Sequence, residues 1–376
     1  MKLTLQVKLV VTDEEKSLLL QTMEKFNAAA SFAAQVAFAA KVFSQPAVHK
    51  RCYADIRAKY GLSAQLAVRA IGKAVETFKR DKKVCPAFKP HSAVIYDERI
   101  LSFKGADRVS IYTIAGRLRL PCIFGKYQQE RRGHIKGQSD LVYRKDSGQF
   151  FLYVTIDLPD GSPIKPEDAV GVDLGVVRLA ADSDGGAYTG DAIEACRKRF
   201  FVLRAGLQGC GSRSAKRHLK GASRDEAAFR RDVNHCISKS IVASAKGTRR
   251  AIALEDLKGI RERTTVRKKQ RARQHGWAFS QLRLFIEYKA RLAGVPVVVV
   301  DARDTSRTCP KCGHCEKANR KSQSEFVCRH CGYSNNADYV GALNIRAKGR
   351  EALFARAVVN RPFVSAVGNP VLHAAG

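Results

Sequence analysis

AVGVDLGVVRLAADSDGGAYT, residues 169–189, reads as paired apolar strands around an Asp-Gly turn, with one carboxylate, Asp173, set among apolar neighbours. A lone carboxylate in that setting is costly unless something balances it, so the strand that organises the fold also marks a chemical site. Downstream the pattern repeats in larger units. Residues 225–246 read as a helix, AIALEDL (251–257) as a buried strand, WAFSQLRLFIEYKARLAG (277–294) as a helix ended by Gly294, and VPVVVVD (295–301) as another buried strand. Helices alternating with apolar strands, begun by a hairpin, predict a mixed α/β sheet with helices on its faces.

Upstream, Pro159 to Asp168 is rich in Pro, Gly and acids and forms a boundary. The N-terminus alternates with Leu3, Leu5, Val7 and Leu9 on one face, which predicts a strand. Thr12 and Glu15 have capping-box spacing ahead of a long helix to about residue 40, whose alanines allow close packing. Helices are expected near 49–60 and 63–80. From about residue 90 short β segments follow, with Lys145 to Gly148 as a hairpin turn. A helical block thus interrupts a β domain that includes the N-terminal strand.

Lys and Arg number 67 against 35 Asp and Glu, a formal net charge of +32 in 376 residues. Charge of that size repels itself unless a polyanion neutralises it, and a phosphate backbone rewards each basic contact by releasing counterions. Nucleic acid is the expected partner. The segments 196–224 and 257–276 are dense in Arg and Lys with weak apolar period, and read as solvated, mobile faces that could hold it. No run reaches the roughly 18 apolar residues of a membrane span. The N-terminus lacks the apolar block of a secretory signal, so the chain reads as cytoplasmic, with reduced thiols and no membrane partner.

Eleven cysteines is an odd number for a disulfide framework. Six (Cys52, Cys85, Cys122, Cys196, Cys210, Cys236) are scattered singly. The other five cluster: Cys309-Pro-Lys-Cys312-Gly, then Cys315, then, fifteen intervening residues after Cys312, Cys328-Arg-His-Cys331-Gly. Two residues between thiolates let a tight turn aim both sulfurs at one tetrahedral ion, and Gly313 and Gly332 suit the positive φ such turns need. Cys309, Cys312, Cys328 and Cys331 are the expected zinc ligands. Cys315 is a spare thiol because Gly follows Cys312 instead, and His314 and His330 read as surface residues. Four thiolates leave no position for water, so the zinc is structural.

Glu255 occupies a place in AIALEDL matching that of Asp173 in its strand, and because strand side chains alternate, only one of Glu255 and Asp256 can share a face with Asp173. Asp338 opens an expected helix, NADYVGALNI, where helix capping is its alternative role. Asp301 is a fourth candidate. Together such carboxylates fit a site binding divalent metal for phosphodiester hydrolysis. His235 and Lys239, one helical turn apart, read as surface or packing residues.

The order GVDLGVVRLA, ALEDL, DTSRTCPKCG, CRHCGY and NADYVGALNI resembles the RuvC nuclease of TnpB proteins, relatives of Fanzor proteins and compact type V CRISPR effectors. The helix HGWAFSQLRLFIEYKARLAG, the N-terminal MKLTLQVKLVVTDEE and FKPHSAVIYDERILSF also resemble segments of that family, so the likeness spans most of residues 1–348. It implies a multidomain α+β architecture. A β-barrel-like wedge domain (1–12 and 88–165) would hold an inserted helical recognition domain (13–87). An RNase H-like (RuvC) α/β domain (166–302 and 333–350) would then carry an inserted four-cysteine zinc module (303–332), with a tail from 351 to 376. It implies Asp173, Glu255 and Asp338 as catalytic acids holding magnesium, two ions being expected. The implied partners are a guide RNA from the transposon end and a double-stranded DNA target with an adjacent short motif, with no small-molecule substrate. A CRISPR effector, a nuclease-inactive RNA-guided repressor and a DNA-joining recombinase are the alternatives, and the intact acids weigh against the repressor.

Overall fold

In the computed structural model, which describes residues 1–175, 178–188, 191–256, 279–322 and 324–359, the N-terminal alternation becomes strand β1 (Lys2–Leu9) with Leu5, Val7 and Leu9 buried. The chain divides into two units, Met1–Pro159 and Asp160–Gly376. In the first, β1 leads into helix α1 (Asp13–Ala39), whose capping box of Thr12 and Glu15 is formed as the spacing predicts. Ala29, Ala30, Ala33, Ala34 and Ala37 are fully buried, and this small-residue face lets α2 (Gln45–Tyr60) and α3 (Ala64–Phe78) pack closely against α1. Helix α2 starts before residue 49 because Pro46 suits a first helical turn.

After the helices come β2 (Val94–Tyr96), β3 (Leu101–Lys104), β4 (Arg108–Thr113), β5 (Gly116–Ile123), a short helix α4 (Lys126–Gln129), β6 (Ile135–Arg144) and β7 (Gln149–Asp157). Their sheet has the order β2-β6-β7-β1-β5-β4-β3, so the N-terminal strand is central. The two end strands, β2 and β3, are joined by residues 97–100 alone. Four residues span at most about 14 Å, so the sheet must curl until its edges nearly meet. Asp97 at that joint accepts hydrogen bonds from Gln65 and Arg69 of α3, tying the helical block to the sheet.

The second unit holds β8 (Ala169–Asp173), β9 (Ala180–Asp182), β10 (Ala187–Tyr188), α5 (Asp191–Cys210), α6 (Arg213–Gly247), β11 (Ala251–Glu255), α7 (Phe279–Ala293), β12 (Val297–Val300), β13 (Glu325–Val327), β14 (Ser334–Asn336) and α8 (Ala337–Val359). Its main sheet has the order β10-β9-β8-β11-β12, with β8, β11 and β12 parallel and the β9–β10 hairpin antiparallel. Alternation splits the parallel strands into two faces. Val170, Val172, Ile252 and Leu254 pack against Ile237, Ile241 and Val242 of α6 and Leu282 and Ile286 of α7. On the opposite face Ala169, Ala251, Ala253 and Val298 meet Ile345 of α8.

The α8 face is built from small residues for a geometric reason. A Cβ on Gly171 would stand 2.0 Å from the carbonyl oxygen of Ala342 and 2.4 Å from the backbone nitrogen of Arg346. Only glycine lets the helix backbone come down on β8 in this way.

Residues 196–210 and 213–224, read as solvated faces, are helical in α5 and the start of α6 with mostly exposed side chains. Ser212 caps α6 by accepting from Ala215 N, and a solvated helix needs no apolar stripe. Helix α8 also runs past residue 350 to Val359. The basic segment 257–276 lies outside the described residues.

Candidate active site and metal centre

Parallel pairing of Leu254 with Val172 sets Glu255 beside Asp173, at the C-terminal ends of neighbouring strands. By alternation both belong to the face covered by α8, with Gly171 and Ala253 two residues before them. Asp256 goes to the other side, where Arg283 of α7 pairs with it at 3.3 Å. The choice between Glu255 and Asp256 is thereby made by the pleat.

Asp338 sits in the first turn of α8 but does not cap it. Asn336 Oδ1 accepts from the backbone nitrogens of Asp338 at 3.1 Å and Tyr339 at 3.4 Å. The Asp338 carboxylate is left to face Arg320 at 3.8 Å and Arg178 at 4.0 Å. One turn on, Gly341 lies over Asp173: a Cβ there would be 3.0 Å from Asp173 Oδ2. The close docking of α8 thus brings the third carboxylate to the first two.

Crowding shows in the acidities. Burial, then the charges of Glu255 and Asp338, push Asp173 up to about 8, with Arg320 opposing. Burial also raises Glu255, against the Thr305 hydroxyl, Lys348 and Arg320, and raises Asp338 against Arg320 and Arg178. Asp173, Glu255 and Asp338 each keep some accessible surface. Excess negative charge on hard oxygen donors fits magnesium in kind. The three carboxylates are not drawn into a tight ligand shell: among the described residues, only the four cysteines form a group of three or more ligand side chains all within 4.8 Å.

That quartet is Cys309, Cys312, Cys328 and Cys331, as the spacing predicts, and Cys315 stands outside it. Sγ of Cys309 is 3.6 Å from Cys331 Sγ, and Cys312 Sγ is 3.6 Å from Cys328 Sγ. Four sulfurs at about 2.3 Å from one tetrahedral zinc would lie roughly 3.8 Å apart, so the cage fits the ion. The two turns repeat one design. Gly313 N donates to Cys309 O and Gly332 N to Cys328 O, at φ values of 74° and 69°. Desolvation opposes ionisation of Cys328, yet backbone N–H groups of Cys331 and His330 and the neighbouring thiols hold it down at about 6.

The remaining candidates separate from the centre. Asp301 directly follows β12 and accepts from Arg303 N at 3.0 Å, close enough for its charge to raise Glu255. His235 stacks on Phe285 with ring centres 4.0 Å apart, on the α6–α7 side of the sheet, and Lys239 is exposed. Arg178, Arg320, Thr305 and Asn336 touch the carboxylates or their helix, and no sequence pattern singled them out.

Residues 279–345 match the family described as Cas12f1-like, TNB domain. The chain is 32% identical to the CRISPR-associated endodeoxyribonuclease Cas12f1 of Sulfoacidibacillus thermotolerans, over 58% of this chain and 55% of that protein. It is 26% identical to the putative RNA-guided DNA endonuclease InsQ of Escherichia coli K12, a TnpB-like protein, over 77% of this chain and 74% of that one. The chain spans about half the length of the Cas12f1 relatives it matches. Its fold is that of a Cas12f1 solved with sgRNA and target DNA: TM-score 0.63, 15% identity, 90% of this chain and 83% of that one. These likenesses are to TnpB-like and Cas12f proteins. No helix of the described residues is long and apolar enough to cross a membrane.

Proposed function

We propose that this chain, a relative of TnpB-like and Cas12f nucleases, is an RNA-guided DNA endonuclease with an RNase H-like (RuvC) centre at Asp173, Glu255 and Asp338. The observation that carries the reading is the meeting of two strand-end carboxylates with a third from α8, crowded enough to push Asp173 up to about 8. The strand order β10-β9-β8-β11-β12, an antiparallel hairpin beside three parallel strands, supports an RNase H-like assignment.

Asp173, Glu255 and Asp338 would hold magnesium, which would activate water and steady the leaving oxygen in phosphodiester hydrolysis. Arg178 and Arg320 balance the acids from one side, and Thr305 orients Glu255. The quartet would hold a structural zinc. We assign residues 1–12 and 88–165 as the wedge, 13–87 as the recognition helices, 166–302 and 333–350 as the nuclease domain and 303–332 as the zinc module. The partners in this reading are a transposon-end guide RNA and duplex DNA with an adjacent short motif. Leaving sequence choice to base pairing suits a chain whose main resource is diffuse positive charge.

The test is to purify the chain with its RNA, sequence that RNA, and offer magnesium and a duplex complementary to its variable end. Cleavage is expected, and Asp173→Asn should lower it roughly a thousand-fold, the equivalent of several kcal/mol of transition-state stabilisation, while RNA stays bound. Undiminished cleavage by the variant would remove these acids from the reaction. Random cellular RNA in the preparation would make the chain a generic binder.

A further inference from the structure

Thr305 lies between β12 and the first cysteine turn, is 3% exposed, and donates its hydroxyl to Glu255 Oε1. A hydroxyl has one proton, and the carbonyl of Ala302 at 2.9 Å competes for it, but the charged acceptor makes the stronger bond. The Thr305 backbone is held in turn. Asn344 of α8, 8% exposed, donates Nδ2 to the carbonyl of Thr305 at 2.7 Å and to that of Thr308 at 2.8 Å. Thr308 adjoins Cys309, whose backbone nitrogen donates to His314 O inside the first turn. Asn344 is one helical turn past Gly341, the residue that lies over Asp173.

We infer that Thr305 and Asn344 are positioning residues that clamp Glu255 and tie its orientation to the folded cysteine module. The inference rests on the nuclease reading and goes beyond it, because it makes the segment between β12 and Cys309 part of the divalent-metal site. The Thr305 hydroxyl fixes which Glu255 oxygen is turned toward the module and leaves the other for a cation. Asn344 fixes Thr305 from the same helix that supplies Asp338. One helix therefore places two of the three carboxylates, one directly and one at second hand.

The test uses the full chain with its RNA and zinc, and reads Mn2+ binding from loss of the free-ion electron paramagnetic resonance signal. Magnesium-dependent cleavage is followed alongside. Thr305→Val keeps the shape and removes the hydroxyl, and should weaken Mn2+ binding by about 10- to 100-fold, as for other groups that orient metal ligands. Thr305→Ser should restore binding to near wild type. Asn344→Ala leaves the hydroxyl but frees its backbone, and should weaken binding less, with zinc retained. Wild-type Mn2+ affinity in zinc-loaded Thr305→Val overturns the clamp, as does equal damage from Thr305→Ser. Unchanged binding by Asn344→Ala overturns its half of the inference. A wild-type chain with no Mn2+ site sensitive to Glu255→Gln would overturn the nuclease reading, and the clamp with it.

Discussion

The cysteine quartet and the carboxylate trio are both metal-type clusters of the second unit, and they close by different means. Each half of the quartet is a local turn with its own glycine and its own hydrogen bond to the first cysteine carbonyl. The sulfurs reach 3.6 Å from their neighbours. The trio has no local closure. Asp173 and Glu255 meet through strand register, Asp338 arrives through the docking of α8, and arginines stand against the charge. A cluster closed by turns keeps its geometry in a small module, whereas one closed by packing inherits every error in the packing. The two are also joined, because Arg320, Thr305 and Asn336 reach the acids from in and around the cysteine module.

Breaking the quartet should have the largest effect. Cys328→Ser is expected to lose zinc, measured by elemental analysis, and with it on the order of 10 kcal/mol of apparent folding free energy for the module. Cleavage should go too, because the cysteine module holds Glu255 and Asp338 in place. A zinc-free variant with full cleavage would dissolve the link between the clusters.

The trio should show itself in the pH dependence of stability. Without added divalent metal, folded Asp173 keeps its proton up to about 8, whereas in the unfolded chain it ionises near its ordinary value of 3.8. Between those values the folded state binds the extra proton, so this group's contribution to stability falls as pH rises and levels off above about 8. Asp173→Asn should therefore gain melting temperature relative to wild type on going from pH 5 to pH 8. Parallel curves would mean that no such charge is stored there. The smallest effect should come from Cys315→Ser: unchanged zinc content and a stability change within about 0.5 kcal/mol. Loss of zinc in that variant would redraw the quartet.

How much of this was legible in the sequence follows the same division. Cysteine spacing and the glycine after each pair suffice for the knuckles, because the geometry is local. Apolar surroundings single out Asp173, expected mid-strand but found at the end of β8, and Glu255 stands near the end of an apolar strand, but only the pleat and register choose Glu255 over Asp256. Capping by Asn336, the backbone approach at Gly171 and the contacts of Arg320 and Thr305 depend on which surfaces meet, and no periodicity encodes that. The basic stretch from 196 to 224 is solvated, as its weak apolar period predicts, but that pattern gives no sign of the helices that carry it.

Helix α6 carries that last point further. Its 35 residues extend roughly 50 Å at about 1.5 Å each, but from Lys216 to Val233 no side chain is buried, whereas Asn234, Ile237, Ile241, Val242 and Ala245 are. One half is anchored to the sheet and the other stands on intrinsic propensity and its neighbour α5. With fewer buried contacts the first half is expected to open at lower free energy than the second, which faster amide exchange over residues 216–233 would show. In the proposed nuclease reading, the dense row of cations on the first half would then shift along a polyanion while the strands that position the acids stay in place.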